Sequence, residues 1–151
     1  MVAGACIAFV ALVSAVLTMG REWVSDYQLY DSDNVQACHY IEENLPVDAV
    51  FLAANNHNNA VASLTGRNIV CGSDSFLYYH GISTGERQEE VGRMFSNPLG
   101  EMELYDKYSV DYIFVSDQEW WSYQIDESAL QQMADCIYEE GSVKIYQVNR
   151  G

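Results

Sequence analysis

The N-terminal residues form a continuous apolar segment that differs from the rest of the chain. Residues 2–19 carry no charged side chain and are apolar or small almost throughout. As an α-helix, this segment would extend about 27 Å, which is just enough to cross the hydrocarbon core of a bilayer. A cleaved signal peptide is the alternative, but the segment has no positive n-region and no clean A-x-A site before Arg21. We therefore predict a retained transmembrane helix over residues 1–20.

A juxtamembrane connector is predicted over residues 21–32, and it contains Arg21, Trp23, Tyr27 and Tyr30. Tryptophan and tyrosine beside a span are typical of the interface between lipid and water. The same side chains could equally pack over the core of the soluble domain, so both interpretations stay open. Arg21 is the only nearby positive charge and follows the span, which weakly favours a cytoplasmic position for the rest of the chain.

Residues 33–151 alternate between helical and strand-like patterns and are predicted to form one soluble α/β domain. A helix capped by Asp33 ends before Pro46, because the residue that precedes a proline is forced out of the helical region. Residues 49–54 are apolar at every position, which is typical of a central strand covered on both faces. A second strand is predicted over residues 68–72, after a short helical turn.

The second half of the domain predicts further helices, one more central strand and a hairpin. In order, the predicted elements are an extended or irregular stretch over 75–81, helices over 83–95 and 98–108, a strand over 111–116, an aromatic loop over 117–125, a short helix capped by Asp126 and a hairpin over 136–148 that turns at Gly141 and Ser142. A longer helix that ends at Gly141 is the alternative for this last segment. The predicted fold class is α/β: an N-terminal transmembrane helix, then a Rossmann-like three-layer domain with a mainly parallel sheet and a C-terminal edge hairpin.

The charge balance excludes one class of partner. The chain has 22 acidic and 7 basic residues, and no acidic residue precedes Glu22. Binding to a nucleic-acid backbone requires clusters of lysine and arginine, which the sequence lacks, so we expect no nucleic-acid partner. Docking onto anionic lipid is disfavoured for the same electrostatic reason.

The cysteines predict neither a redox motif nor a zinc half-site. Cys38, Cys71 and Cys136 lie in the soluble part and Cys6 in the apolar segment, and no two are separated by two residues. We interpret the three soluble cysteines as small core residues.

The loop Asn55-Asn56-His57-Asn58-Asn59 is the most unusual polar feature of the sequence. It follows a predicted central strand, and ligands of open α/β sheets bind in the crevice outside the carboxyl ends of the strands. Its amides and imidazole offer donors and acceptors suited to sugar hydroxyls or a polar head group. A turn with a helix cap is the alternative, because asparagine favours both. We predict that Asn55, Asn56, His57 and Asn58 contact a ligand.

Two further polar residues are candidates for the same edge. Arg67 follows Gly66 at a strand entrance, where its guanidinium would suit a carboxylate or phosphate, although a structural pairing is the commoner use. His80 is the second candidate. His57, Cys71, Asp74 and His80 match no known metal-ligand spacing, so we expect no metal.

An aromatic segment follows the predicted strand over 111–116. Exposed tryptophans such as Trp120 and Trp121 stack on sugar rings or lie at a membrane surface, and the alternative is a loop folded over the sheet edge. Asp117 and Glu119 lie beside them and would suit hydrogen bonds to hydroxyl groups. The sequence contains no G-x-G-x-x-G, G-x-S-x-G or H-E-x-x-H motif. We therefore predict no catalytic residue and no cofactor.

The order of several short motifs resembles the C-terminal soluble domain of large polytopic membrane glycosyltransferases. In these features the chain is similar to the GT-C, dolichyl-phosphate-mannose-mannosyltransferase-like enzymes of bacteria and archaea. The features are the apolar span, the helix-proline segment 37–46, Phe51 and Leu52, the Asn-His-Asn-Asn loop, the segment 64–67, the segment 79–81, the strand over 111–115 and the segment 143–146.

The resemblance implies transfer of a sugar from a polyprenyl-phosphate donor on the outer face of the membrane. In that class the acidic catalytic residue lies in a loop between early transmembrane helices, a region that this chain lacks, and Met1 would lie inside or at the cut end of a larger protein. The resemblance thus implies an extracytoplasmic accessory domain that binds a glycan or lipid-linked sugar acceptor beside other transmembrane helices. A non-enzymatic, membrane-anchored interaction module and a free-standing α/β enzyme are the alternatives.

Overall fold

The apolar N-terminal segment forms helix α1, Val2–Val24. The structure, a computed structural model, describes residues 2–25 and 27–149. By length and composition the stretch Cys6–Val24 can cross a membrane, a test that a signal sequence near the N-terminus also passes. None of its most apolar window is buried inside the structure. The helix continues for four residues into the predicted connector, as far as Val24.

The remaining described residues form six helices, five strands and two single turns of other helical types. In chain order they are α2 (Ser32–Asn44), β1 (Val50–Leu52), a π-helical turn (Val61–Thr65), β2 (Asn68–Ile69), α3 (Asp74–Tyr79), α4 (Gly85–Ser96), a 3-10 turn (Pro98–Glu101), α5 (Met102–Lys107), β3 (Tyr112–Val115), α6 (Asp117–Ser122), α7 (Glu127–Met133), β4 (Ala134–Glu140) and β5 (Val143–Val148).

The five strands form one mixed sheet in the order β2-β1-β3-β5-β4. Strand β1 is parallel to β2 and β3, and Phe51 lies opposite both Ile69 and Tyr112. Strand β5 is antiparallel to β3 and β4. The expectation of a mainly parallel sheet is not confirmed, because the hairpin turn at Gly141 and Ser142 joins two antiparallel strands and β5 then pairs directly with β3. Strand β4 has the same direction as β3, to which α6 and α7 connect it, so β5 is the strand that runs against the others.

Two segments that the sequence predicts as irregular are helical. The stretch over 75–81 contains α3, none of whose side chains is buried, so no apolar periodicity marks it as a helix. The predicted aromatic loop over 117–125 contains α6, which is opened by a capping box between Ser116 and Glu119. A capping box satisfies two backbone N–H groups reciprocally and is readable as S-x-x-E in the sequence.

The start of α2 also differs from the prediction. Asp31, rather than Asp33, caps the helix, and its carboxylate accepts a hydrogen bond from the backbone N–H of Asn34 at 2.7 Å. Asp33 instead accepts from the backbone N–H of Ser142 at 3.1 Å. Its side chain therefore ties the first turn of α2 to the C-terminal hairpin.

Apolar side chains pack on both faces of the sheet. On one face, Leu52 and Ile113 pack with α4, α5 and α7. On the other face, Phe51 and Phe114 pack with α2 and the π-helical turn. Alternation of side chains along β1 and β3 thus fills two cores, as the uninterrupted apolar runs of these strands predict.

Two of the three soluble cysteines are core residues, as predicted. Cys38 and Cys71 are buried, and burial raises the pKa of the Cys38 thiol to about 12. Cys136 is exposed, so the prediction is wrong for this residue. Its position on β4, the last strand of the sheet, leaves its side chain outside both cores.

A charged network joins α7 to the hairpin. Glu127 accepts hydrogen bonds from Lys144 Nζ at 2.7 Å and from the Tyr146 hydroxyl at 2.6 Å. The hydrogen bond from Lys144, followed by the one from Tyr146, lowers the pKa of Glu127 below its ordinary value. The ionised carboxylate therefore stabilises the fold.

We expect Glu127→Gln to lower the free energy of unfolding by about 1 kcal/mol near pH 7, because a charge-assisted hydrogen-bond pair is replaced by neutral contacts. Since the folded pKa of Glu127 lies below the unfolded one, its stabilisation is present above the unfolded pKa and is lost as the pH falls through the folded pKa. Urea unfolding of the chain in detergent, at pH 7 and at pH 3, measures both values. Glu43→Gln, at an exposed position, is the control. A constant difference between the two pH values would contradict this prediction.

Candidate functional site

The three parallel strands end at the same edge of the sheet, which we name the carboxyl edge. The loop over 55–59 follows β1, α3 follows β2, and α6 follows β3. The chain steps outward from β1 to β2 and then crosses to β3 on the other side of β1. The order of the strands therefore reverses between β1 and β3, and the crevice outside such a switch point is where open α/β sheets bind ligands.

The buried carboxylate of Glu119 holds the ends of β1 and β3 together. Its Oε1 accepts a hydrogen bond from the backbone N–H of Ala54 at 2.8 Å. Its Oε2 accepts from the backbone N–H of Ser116 at 2.9 Å and from the Ser116 hydroxyl at 2.5 Å. Glu119 is only 1% exposed. Because both oxygens are occupied by the protein, Glu119 has a structural role in place of the ligand contact that the sequence suggested.

Burial and hydrogen bonding act on this carboxyl group in opposite directions. Burial is the larger effect and raises the pKa of Glu119 above its ordinary value, whereas the hydrogen bonds from Ser116 and from the Ala54 backbone lower it. The donors are two backbone N–H groups and a hydroxyl, all of which favour the charged form. These donors therefore offset part of the cost of burying a charged carboxyl group between the two strand ends.

A cavity of about 250 Å³ lies at the switch point. One wall is the end of the connector, one is the asparagine loop, and one is the first turn of α6. Its polar lining residues are Gln28, Tyr30, Asp31, Asn34, Asn56, Asn58, Asn59, Ser116, Asp117, Gln118 and Glu119. No lysine or arginine is among the described residues that line it. The cavity is therefore a polar, acidic site that offers mainly amide and carboxylate groups.

Two asparagines of the loop have structural partners. The Asn59 amide donates to the carbonyl of Ala54 at 2.7 Å and accepts from the backbone N–H of Ala62 at 3.0 Å. The Asn55 amide oxygen accepts from the Tyr123 hydroxyl at 3.0 Å. Asn59 thus shapes the turn itself, and Asn55 fixes the loop against the segment that follows α6.

The next residues of the loop are available to a ligand. The Asn56 amide oxygen is buried and has no hydrogen-bond partner among the described residues. Asn58 is half-buried in the same cavity wall. His57 is exposed, and its ring lies 4.5 Å from that of Phe76 on α3. An unsatisfied buried acceptor requires a donor, so the cavity favours a hydroxyl or N–H group beside Asn56.

Arg67 lies away from this cavity. It precedes β2 and is therefore at the opposite end of the strands from the asparagine loop. Its guanidinium donates to the carbonyls of Leu45 at 3.1 Å, Ile41 at 3.4 Å and Thr65 at 3.3 Å. The bonds to Ile41 and Leu45 satisfy carbonyl groups at the C-terminal end of α2, and the bond to Thr65 satisfies one at the end of the π-helical turn. Ligand binding by Arg67 stays a prediction, in a place that does not join the other candidates.

The remaining candidates lie at the carboxyl edge but outside the cavity. His80 is exposed directly after α3. Trp120 is 45% exposed and Trp121 is 86% exposed, both on α6. Their ligand contacts are likewise predictions. Among residues 2–25 and 27–149, no group of three or more His, Cys, Asp or Glu side chains is placed to hold a metal ion.

Sequence reasoning missed the contribution of the connector to the site. Gln28, Tyr30 and Asp31 line the cavity although they lie more than twenty residues before the asparagine loop. The signal that was available is the position of Asp31 immediately before α2, where it caps the helix. Because Asp31 both caps α2 and lines the cavity, the start of this helix brings the connector to the asparagine loop.

The fold is similar to that of a solved domain from an archaeon. That domain is the C-terminal globular domain of an oligosaccharyltransferase from Archaeoglobus fulgidus, and the similarity has a TM-score of 0.55 at 13% sequence identity. It covers 80% of this chain and 99% of the archaeal domain. No family model matches the sequence. No curated protein matches it either. The similarity therefore concerns the fold of the domain.

We expect Glu119→Gln to reduce the free energy of unfolding by about 2 kcal/mol, because the new amide N–H₂ faces the backbone N–H of Ala54 or Ser116 and leaves a buried donor unsatisfied. Chemical unfolding of the full chain measures the loss. Glu103→Gln is the matched control, since Glu103 is exposed on α5. Equal stability of the two variants would show that the carboxylate does not hold the strand ends.

Proposed function

We propose that this chain is the membrane-anchored accessory domain of a polyprenyl-phosphate-sugar-dependent glycosyltransferase. In this proposal the α/β domain lies outside the cytoplasm, binds the acceptor and is not catalytic alone. The observation that carries the proposal is the similarity of its fold to nearly the whole C-terminal globular domain of an oligosaccharyltransferase. The exposed apolar helix that precedes the domain supports attachment to a membrane.

The electrostatics of the cavity favour the acceptor over the donor. A polyprenyl-phosphate sugar carries a negative phosphate, which arginine and lysine ordinarily bind. The cavity has Asp31, Asp117 and Glu119 in its walls and no basic residue among its described lining. A neutral group with several hydroxyl or N–H donors fits these walls better than a phosphate does.

Asn56 and Asn58 are the proposed ligand-binding residues of the cavity. The buried oxygen of Asn56 has no donor in the protein, so a ligand hydroxyl or N–H would satisfy it without breaking an existing bond. Asn55 and Asn59 have internal partners and keep the loop in shape. The exposed indole of Trp121 is proposed to stack on a sugar ring at the margin of the site.

Saturation-transfer NMR of the full chain in detergent, with a panel of neutral glycans and glycosylation acceptor peptides, tests this function. We expect at least one compound to show contacts, and Asn56→Ala to weaken its binding about tenfold through loss of one buried hydrogen bond. Asn149→Ala, an exposed asparagine that follows β5, is the control and should leave binding unchanged. No contact from any compound at millimolar concentration would contradict the proposed acceptor site.

A further inference from the structure

Large exposed apolar side chains are concentrated at the carboxyl edge. Among the described residues beyond α1 and the connector there are nine, and six of these lie on the segments that follow β2 and β3. The other three are Val35 on α2, Leu99 between α4 and α5, and Val47, which lies before β1 at the opposite edge. The six are Phe76, Tyr78, Tyr79, Ile82, Trp120 and Trp121. Single exposed apolar residues are ordinary, but a group of them at one edge marks a surface that contacts a protein, a ligand or a membrane.

Helix α3 contributes half of these six residues and no buried side chain to the core. None of its side chains is buried, and Tyr79 is 86% exposed. The segment from Ser75 to Gly85 contains no Asp, Glu, Lys or Arg, in a chain with 22 acidic residues, and His80 is its one titratable nitrogen base. Stability of the domain does not account for these aromatic residues, because they remove little apolar area from water.

The length of the connector places this edge close to the end of α1. Arg21 is the first charged residue after the apolar segment, and α1 ends at Val24. Gln28, which lines the cavity at the carboxyl edge, follows four residues later. A fully extended chain spans at most about 14 Å over four residues. If α1 crosses the bilayer, the carboxyl edge therefore lies near its surface, whereas the opposite edge points away.

The chemistry of the surface fits the interfacial layer of a neutral bilayer. Tyrosine, tryptophan and phenylalanine are the residues that favour this layer. Acidic side chains lie at the same edge, among them Asp31, Asp117 and Glu140, so anionic lipid would be repelled. We propose that the carboxyl edge rests on zwitterionic lipid, with the aromatic side of α3 in the head-group layer. This inference rests on the membrane anchoring in the proposed function.

The arrangement has a consequence for the cavity. The asparagine loop lies between the connector and α3, since Asn56 shares the cavity with Gln28 and His57 contacts Phe76. An edge that rests on lipid turns the cavity toward the bilayer surface. The site then receives acceptors that are themselves held at the membrane.

Depth-dependent fluorescence quenching by brominated phosphatidylcholine tests this docking in the full chain. The chain is reconstituted into phosphatidylcholine nanodiscs with Trp23, Trp120 and Trp121 replaced by phenylalanine, and one reporter is added as Tyr79→Trp. We expect the reporter to lose most of its fluorescence and to emit at shorter wavelength than in water. Val47→Trp in the same background is the matched control at the opposite edge and should keep its fluorescence. Phe76→Trp serves as a second reporter if Tyr79→Trp does not fold.

A further variant separates the docking of the carboxyl edge from the membrane anchoring on which it rests. It retains Trp23 as its only tryptophan and reports whether α1 lies in the bilayer. Quenching of Trp23 without quenching at positions 79 and 76 would overturn the docking and leave the membrane anchor intact. Cross-linking from position 79 to a protein would likewise overturn it, because the surface would then belong to a protein partner. No quenching of Trp23 would overturn both.

Discussion

The hydrogen bonds to the buried carboxylate of Glu119 are the interaction on which the candidate site depends. This one side chain, from the first turn of α6, joins Ala54, just beyond the end of β1, to Ser116, which follows β3. The two strands end where the strand order reverses, so the hydrogen bonds to Glu119 set the width of the crevice at that point. The asparagine loop begins directly after Ala54. Its cavity-facing amides are therefore placed by a carboxylate that does not itself contact the ligand.

The elements that rest on local pattern were predictable from the sequence. The apolar runs containing β1 and β3, the end of α2 before Pro46, the short helix after Asp126 and the hairpin at Gly141 all follow from burial on two faces or from turn chemistry. Helix α3 was not predictable in this way, because a helix that buries nothing has no apolar stripe. The mixed sheet was missed since the pairing of β5 with β3 is a long-range contact that no local pattern specifies.

The candidate site was predictable only in part, for a related reason. The position of the asparagine loop after a central strand indicated the correct edge of the sheet. The chemistry of individual side chains there depends on partners far away in the sequence. Asn55 accepts a hydrogen bond from Tyr123, and Glu119 accepts one from the backbone of Ala54. Polar residues that look equivalent in the sequence therefore differ in the structure, since some are bonded within the protein and others are open to a ligand. Arg67 was grouped with the loop by proximity in sequence, yet it binds the end of α2 at the opposite edge.

In our proposal the carboxyl edge, which holds the cavity, faces the membrane. The most direct test is an NMR experiment on the full chain in nanodiscs whose lipids carry a paramagnetic head group. Paramagnetic broadening reports the distance of each backbone amide from the bilayer surface. We expect strong broadening for Asn56, Tyr79 and Trp121, with sharp signals for Val47 and Asn149 at the other end of the strands. Broadening of Val47 and Asn149, with sharp signals from the asparagine loop, would contradict a membrane-facing acceptor site.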